Sequence, residues 1–476
     1  VQDNRDNLRR GAMVETRIEG LALGGRGIAR VGGGMVLFVA HALPGDVVRA
    51  RVTRRKPQYA EAEAIEILEP SPARRTPPCP LFGQCGGCKW QDLPYAEQLV
   101  WKERHVAEAL RHIGRQQHLR IRPIIPSPSE WHYRNKMEYS FGAEADGSLS
   151  IGLHRSGDWR RVLDVPECLI APPVFSEITG WARDELNRQR AGDPSLVPYD
   201  PVSHRGLLRH LVLRHSTHSG AVLCALLTNA PPWDAAEAFG RGLLERFPQC
   251  RGFLYGTTTA LNDVARPEKV VFQLGEGAVE ERVGQRTYRL STFSFFQTNT
   301  AGAAVLYDVV RMFADLSGAE RLLDAYCGTG TIGLHLSDQC ASVTGIESVP
   351  EAVRDAQENA HANGARNCTF YCGDMGAVLG RLVAEHGAQT PFFDRVVVDP
   401  PRGGMDKKAL RLLIGLRAPL VVYVSCNPAT LARDASAFTE AGYEVAEVQP
   451  VDMFPQTFHV ESVVRFRRTQ NASAPG

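Results

Sequence analysis

The run Leu322-Leu-Asp-Ala-Tyr-Cys-Gly-Thr-Gly-Thr-Ile-Gly333 carries an apolar strand pattern straight into a glycine turn. Gly328, Gly330 and Gly333 let the backbone approach a ligand closely as a helix begins. The spacing fits a dinucleotide-type fingerprint, which taken alone admits a nicotinamide enzyme. Two acids sharpen the reading: Asp324 lies inside the strand, and Glu347 closes the next strand pattern. An acid at the end of a second strand is placed to hold ribose hydroxyls, whether of S-adenosylmethionine or of NAD.

Around this run the texture is regular. Strand-like stretches recur at 321–327, 342–348, 368–374, 395–400 and 420–426. Helix-like stretches at 330–338, 350–363, 375–387, 406–415 and 429–440 fall between or after them. Two more strand patterns, 443–451 and 460–467, follow with no helix between. The alternation predicts a doubly wound parallel sheet with an antiparallel edge hairpin, in a domain of residues 291–476. Ligands of such sheets bind beyond the carboxyl ends of the strands.

Upstream, residues 11–70 read as a small all-β module, with strands at 14–18, 32–39, 47–52 and 60–68 separated by glycine turns. That pattern suits a small barrel of the oligonucleotide-binding kind. Residues 70–78 are proline-rich and linker-like. A central domain, 71–290, is mixed α/β, with a helix at 96–113 and strands at 133–142, 149–154, 207–215 and 222–227. The whole is multidomain α/β, and 476 residues suit about three units.

Composition excludes several classes. Hydrophobic residues at 43% and charged residues at 22% argue against disorder and against a coiled coil. No apolar run reaches the length of a membrane span, and the polar stretch 1–10 offers no signal-peptide core, so a cytoplasmic monomer is expected. A net charge of +1 neither demands nor excludes nucleic acid. Residues 1–75, however, hold 13 Lys/Arg against 9 Asp/Glu, with Arg51, Arg54, Arg55, Lys56, Arg74 and Arg75 clustered. Such a cluster binds phosphates or simply keeps a surface soluble.

Two further strand ends carry chemistry. Asp399-Pro-Pro-Arg-Gly403 sets a rigid turn that presents an acid. Ser425-Cys-Asn-Pro428 puts a thiol beside a starting helix, where it is biased toward thiolate. Elsewhere Cys79, Cys85 and Cys88 crowd one loop with Gly86 and Gly87, and Cys168 is the candidate fourth ligand. Four thiolates suit zinc and iron–sulfur equally well on spacing alone. The odd total of 11 cysteines argues against a disulfide framework.

Together, Asp324-Ala-Tyr-Cys-Gly-Thr-Gly330, Asp399-Pro-Pro-Arg-Gly403, Ser425-Cys-Asn-Pro428, Phe296-Gln-Thr-Asn299 and His459-Val-Glu461 resemble the RNA uracil-5 methyltransferases. The loop Cys79-x5-Cys85-Gly-Gly-Cys88-x2-Gln91, with the barrel before it, is similar to the ribosomal RNA members, which carry a TRAM domain and an iron–sulfur cluster. The resemblance implies a class I methyltransferase domain that uses S-adenosylmethionine on RNA, with 23S rRNA expected and tRNA the alternative. It implies that Gln297, Tyr326, Gly328, Gly330, Glu347, Asp374 and Asp399 hold the cofactor. Cys426 would be the nucleophile and Glu461 the general base, with Cys79, Cys85, Cys88 and Cys168 on a [4Fe-4S] cluster of structural role.

The chemistry needs these groups. Carbon 5 of uracil is too weak a nucleophile until a thiolate adds at carbon 6, and a base must then strip the carbon 5 proton. Glu461 stands in an apolar strand pattern, where an acid is costly unless paired with Arg465 or put to use. Three rivals leave the strand-end motifs unexplained: a NAD-dependent oxidoreductase, a radical enzyme using S-adenosylmethionine, and a non-catalytic RNA-binding protein.

Overall fold

The computed structural model describes residues 8–386 and 392–469. Residues 1–7 of the polar N-terminal stretch and residue 387 of the expected 375–387 helix lie outside the described residues. Three sheets organise most of the chain, with a separate two-stranded hairpin, Ala278–Val283 and Arg286–Ser291, beside them.

The C-terminal sheet has seven strands. Cys368–Cys372, Ser342–Glu347, Arg321–Ala325, Arg395–Val398 and Leu420–Ser425 run parallel in that spatial order. Alternate residues feed opposite faces: Leu322, Val343, Val397 and Val422 pack in one core, and Leu323, Ile346, Val396 and Val421 in the other. Burial on both faces is why these strands read as nearly unbroken apolar runs. The strand order reverses between Arg321–Ala325 and Arg395–Val398, which opens a crevice at their carboxyl ends.

The closing hairpin lies at the edge of the sheet as expected, with its second strand placed inward of its first. Glu461–Arg468 is that inner strand, antiparallel to both Leu420–Ser425 and the outer strand Tyr443–Val451. Its register pairs Ser425 with Ser462, so one residue further on Cys426 comes opposite Glu461.

Segments from the middle of the chain complete this core. The helix Tyr95–His112 sends Val106, Ala109 and Leu110 into the same cluster as Leu431 and Phe438. Ile121 and Ile125 bridge alongside Val448 and Val451. The hairpin 278–291 contributes Val279, Tyr288 and Leu290 to the opposite core.

The central sheet is larger than its sequence suggests. It has seven strands, and Asp158–Asp164, Cys250–Thr257 and Lys269–Gly275 join the four expected ones. Asp158–Asp164 is one outer strand, and its charged, half-exposed pattern hides it from a hydrophobicity reading.

The N-terminal module is a six-stranded sheet around Ile18, Leu37, Val39, Val48, Ala50 and Ala60. The stretch 32–39 is not one strand. Gly32, Gly33 and Gly34 take positive φ and form the turn between Gly27–Val31 and Met35–Ala40. The basic cluster also divides. Arg74 is withdrawn from solvent, donating to Asp46 Oδ2 at 2.5 Å and Asp92 Oδ2 at 2.7 Å, so it is a structural tie. Arg75 donates to the Gln91 carbonyl, whereas Arg51 and Arg54 remain on the surface in long pairs with Glu63 and Glu61. Among the described residues, no helix is long and apolar enough to cross a membrane.

Candidate active site

The first strand ends in strained backbone. Tyr326 takes φ +63°, Gly328 +54° and Gly330 +75°, which turns the chain sharply into the helix Thr331–Leu336. Gly333 has a different task. A Cβ there would lie 2.8 Å from Asp324 Oδ2 and 2.9 Å from Val343, so the bare backbone lets the helix close on the strand. The Gly333 N–H donates to Asp324 Oδ2 at 2.8 Å. Burial pushes the Asp324 carboxyl up to about 7.

Glu347 Oε2 accepts the Gly328 N–H at 3.1 Å, and Oε1 accepts from the backbone N–H groups of Ser348 and Val349. It therefore ties the glycine turn to the second strand while facing the crevice. Asn135 holds the 296–299 segment, its Nδ2 donating to the Gln297 carbonyl at 3.0 Å. The three phenylalanines there do not form one core cluster. Phe296 is buried in the core, Phe293 is only partly buried, and Phe295 is 66% exposed.

The fourth and fifth strand ends are bound to each other. Asn427 caps the helix Pro428–Glu440 by accepting the Ala429 N–H, and its Nδ2 donates to the Arg402 carbonyl at 3.2 Å. Proline at the first helical position suits that start. The Asp399–Arg402 turn and Cys426 are thus held together.

A cavity of about 970 Å³ lies over these strand ends. Gln297, Tyr326, Gly328, Glu347, Asp399, Arg402, Cys426, His459 and Glu461 all line it. Two of the expected cofactor residues do not. Gly330 packs under Phe370 and Ala356, and Asp374 accepts the Ala377 N–H at the start of the helix Met375–His386.

The electrostatics departs from one expectation. The Cys426 thiol is not biased toward thiolate; burial, then Glu461, push it up to about 11, with Arg402 opposing. Glu461 rises to about 8, through burial and then Asp399, again with Arg402 opposing. Burial alone lifts Asp399 to about 7. Burial, then Arg402, Lys102 and Arg134, hold His459 near 4, so it is a neutral imidazole. Arg402 is the group that sequence reasoning gave no role: a charged residue after two prolines reads as a solvated loop. The Glu461–Arg465 pair does not form, because Arg465 reaches Asp315 at 3.0 Å.

The segment leading to Glu461 is anchored from afar. Gln456 holds a left-handed φ of +66°. Its carbonyl accepts the N–H groups of Lys89 and Trp90, which follow the cysteine loop directly. Gln98 Oε1 accepts the Gln456 backbone N–H at 2.9 Å, and Gln98 Nε2 donates to Gln456 Oε1 at 3.0 Å. Below them, Lys102 and Asp452 form a fully buried pair at 2.7 Å.

The four predicted cysteines come from separate places. Cys85 bridges to Arg155, and Cys168 enters from the loop after Asp158–Asp164. Cys88 senses Cys168, Cys85 and Cys79 electrostatically, so the four share one neighbourhood. Among the described residues, no three His, Cys, Asp or Glu side chains come close enough to hold a single metal ion.

With this geometry in hand, comparison with known proteins is decisive. A family model described as tRNA (uracil-5-)-methyltransferase matches residues 258–469, and the TRAM domain model matches residues 8–65. An uncharacterised RNA methyltransferase of Chlorobaculum tepidum is 37% identical over 97% of this chain and 98% of its own length. The chain belongs to the RNA (uracil-5-)-methyltransferase family. Another member, an uncharacterised RNA methyltransferase of Halalkalibacterium halodurans, is also 37% identical, over 95% of this chain and 96% of its own. The crystal structure of the Pyrococcus abyssi tRNA (uracil-54, C5)-methyltransferase with S-adenosyl-L-homocysteine superposes with a TM-score of 0.73 at 25% identity. It covers 95% of this chain and all of that one. Membership sets aside the oxidoreductase, radical-enzyme and non-catalytic readings.

Proposed function

We propose that this methyltransferase moves a methyl group from S-adenosylmethionine to carbon 5 of a uridine in RNA, with Cys426 as covalent nucleophile and Glu461 as general base. The observation that carries the reading is the meeting of Cys426, Glu461, Arg402 and Asp399 in a cavity that extends to Gln297, Tyr326 and Glu347. The substrate we favour is 23S ribosomal RNA, in keeping with the TRAM domain at 8–65 and the four-cysteine loop. A transfer RNA is the second reading, supported by the likeness to an enzyme named for tRNA uracil 54. Mass-spectrometric mapping of RNA from a deletion strain should find one 5-methyluridine missing, and its position decides between the two. An unchanged set of 5-methyluridines would overturn the proposal.

The residues fit the cofactor. Glu347, Asp399 and Glu461 give the cavity negative charge when ionised, and the glycine turn lets a nucleoside lie against bare backbone. When bound, the cofactor supplies a methyl group on a cationic sulfur. Glu347→Ala should weaken its binding by roughly 1–3 kcal/mol, as for a lost ribose hydrogen bond. Calorimetry checks this, and wild-type binding of NAD in its place would overturn the assignment.

On the uracil, Cys426 loses its thiol proton to solvent, its Sγ bonds to carbon 6, and the carbon 5–carbon 6 π pair moves toward oxygen 4 as an enolate. Arg402 faces Cys426 and favours its thiolate. Once carbon 5 has been methylated, Glu461 takes its proton. The freed pair restores the ring double bond and Cys426 leaves as thiolate. The base must first leave its stack to reach this depth.

We assign a four-iron cluster of structural role to Cys79, Cys85, Cys88 and Cys168. Support comes from donors aimed at sulfur: the Gly87 N–H on Cys85 at 3.4 Å, the Gln91 side chain on Cys88, and the N–H groups of Ile170 and Ala171 on Cys168. Burial raises all three thiols, and these donors oppose it in favour of thiolate, the ligating form. Protein purified without oxygen should be brown, with iron and sulfide each near four per chain on the pattern of cubane clusters. Cys85→Ala should cost the cluster and solubility, and Cys224→Ala should cost neither. Colourless protein with one zinc would overturn the iron assignment.

A further inference from the structure

The central sheet carries a second cavity, of about 920 Å³, against its outer strand Asp158–Asp164. A groove of about 420 Å³ leads to it. That groove shares Arg134, Phe295 and Thr298 with the catalytic cavity and His154 with the second one, and it passes Gly86 and Gly87 of the cysteine loop.

The polar groups of the second cavity are unequally committed. Its aspartates are engaged, Asp164 by Arg183 at 2.7 Å and Asp263 between His154 at 3.0 Å and His210 at 3.3 Å, while Glu144 lies exposed on the rim. Asp200 accepts the Val202 N–H and the Ser203 hydroxyl. Two of its cations, Arg160 and Arg161, are not so engaged. Among the described residues Arg161 makes no side-chain hydrogen bond or ion pair, and Arg160 has only a long, exposed contact with Asp158 at 3.4 Å. Arg209 is engaged instead: it is 3% exposed, lies 4.0 Å over the Tyr199 ring, and donates to the Ala260 and Asn262 carbonyls at 2.7 Å each.

One exposed aromatic face stands on this path, and a second lies on the outer strand beside it, outside the linings of groove and cavity. Phe295 is 66% exposed on the shared rim, and Trp159 is 58% exposed on the strand that bears Arg160 and Arg161. Uncommitted cations beside exposed aromatic rings along a groove are the physical requirements for a single nucleic-acid strand: phosphates pair, bases stack.

We infer that the groove holds the RNA segment flanking the target uridine, and that the second cavity seats one of its nucleotides, with Arg160 and Arg161 on the phosphates. This rests on the RNA reading above and adds to it a second nucleotide site on the central sheet. It predicts that the enzyme grips a strand, not only a base.

The test compares a fluorescein-labelled dodecameric oligouridylate with a uridine trinucleotide, both binding the full-length protein with S-adenosylhomocysteine present. Arg160→Ala/Arg161→Ala should weaken dodecamer binding about tenfold and flatten its salt dependence by about 1.4, at roughly 0.7 per phosphate on a single strand. Trinucleotide and cofactor affinities should stay at wild-type values, which also establishes that the variant is folded. Arg160→Lys/Arg161→Lys should recover most of the loss. A double-alanine variant that keeps wild-type dodecamer affinity and salt slope would overturn this site alone. Wild-type protein that binds neither oligomer would overturn the RNA reading, and this site with it.

Discussion

Cys426→Ala should abolish both turnover and the covalent RNA adduct, a loss limited only by assay background. No other thiol can replace it. Of the remaining cysteines, only Cys327 lines the catalytic cavity, and it is buried behind the glycine turn with its thiol held well above the ordinary range. Without addition at carbon 6, carbon 5 stays electron-poor and nothing else in the cavity supplies that activation. Denaturing gels with tritiated methyl donor read the result. Cofactor affinity should be unchanged, because Cys426 stands at a different strand end from Glu347, the residue proposed above to hold the ribose. A Cys426→Ala enzyme that still forms a denaturant-resistant adduct would remove the nucleophile from this strand end.

Glu461→Gln should separate the two halves of the reaction. Attack and methylation proceed, but the proton on carbon 5 has no acceptor, so methylated RNA accumulates on Cys426. Turnover should fall by about 10²–10⁴, the usual worth of a positioned base. The pH dependence carries a second signature. In the free protein Glu461 is raised to about 8 and Asp399 to about 7, so near neutrality the larger part of Glu461 carries a proton. The base must be ionised and acts only after the methyl has moved, so kcat should climb as pH rises and Glu461 ionises, and that limb should vanish in the glutamine variant. Release of methylated RNA at the wild-type rate by Glu461→Gln would move the base role away, and His459, already a neutral imidazole, would be next to test.

The C-terminal sheet was legible because both its faces are buried, so each strand announces itself as an apolar run such as Leu420–Ser425 with every residue covered. The pairing of Cys426 with Glu461 was legible only as resemblance. Its physical cause is a strand register, Ser425 against Ser462, that no local pattern encodes. The same limit hid Arg402, whose importance comes from which groups it faces across two turns. The outer strand Asp158–Asp164 escaped for the opposite reason: a strand with one partner and a wet face keeps charged residues and reads as loop. Arg74 misled because charge composition says nothing of whether a guanidinium meets phosphate or, as here, Asp46 and Asp92.

Gln456 has a consequence for how the chain can change over time. Surface loops ordinarily absorb insertions and drift in sequence. The segment after Cys88 cannot, since Lys89 and Trp90 lend their amides to Gln456, and Gln98 grips the same residue across 358 positions of chain. Lengthening that segment by one residue would shift the register of the turn that delivers His459 and Glu461. The two stretches should therefore open as a single cooperative unit in hydrogen exchange. In evolution they form one heritable part, so that neither can be exchanged between relatives without the other.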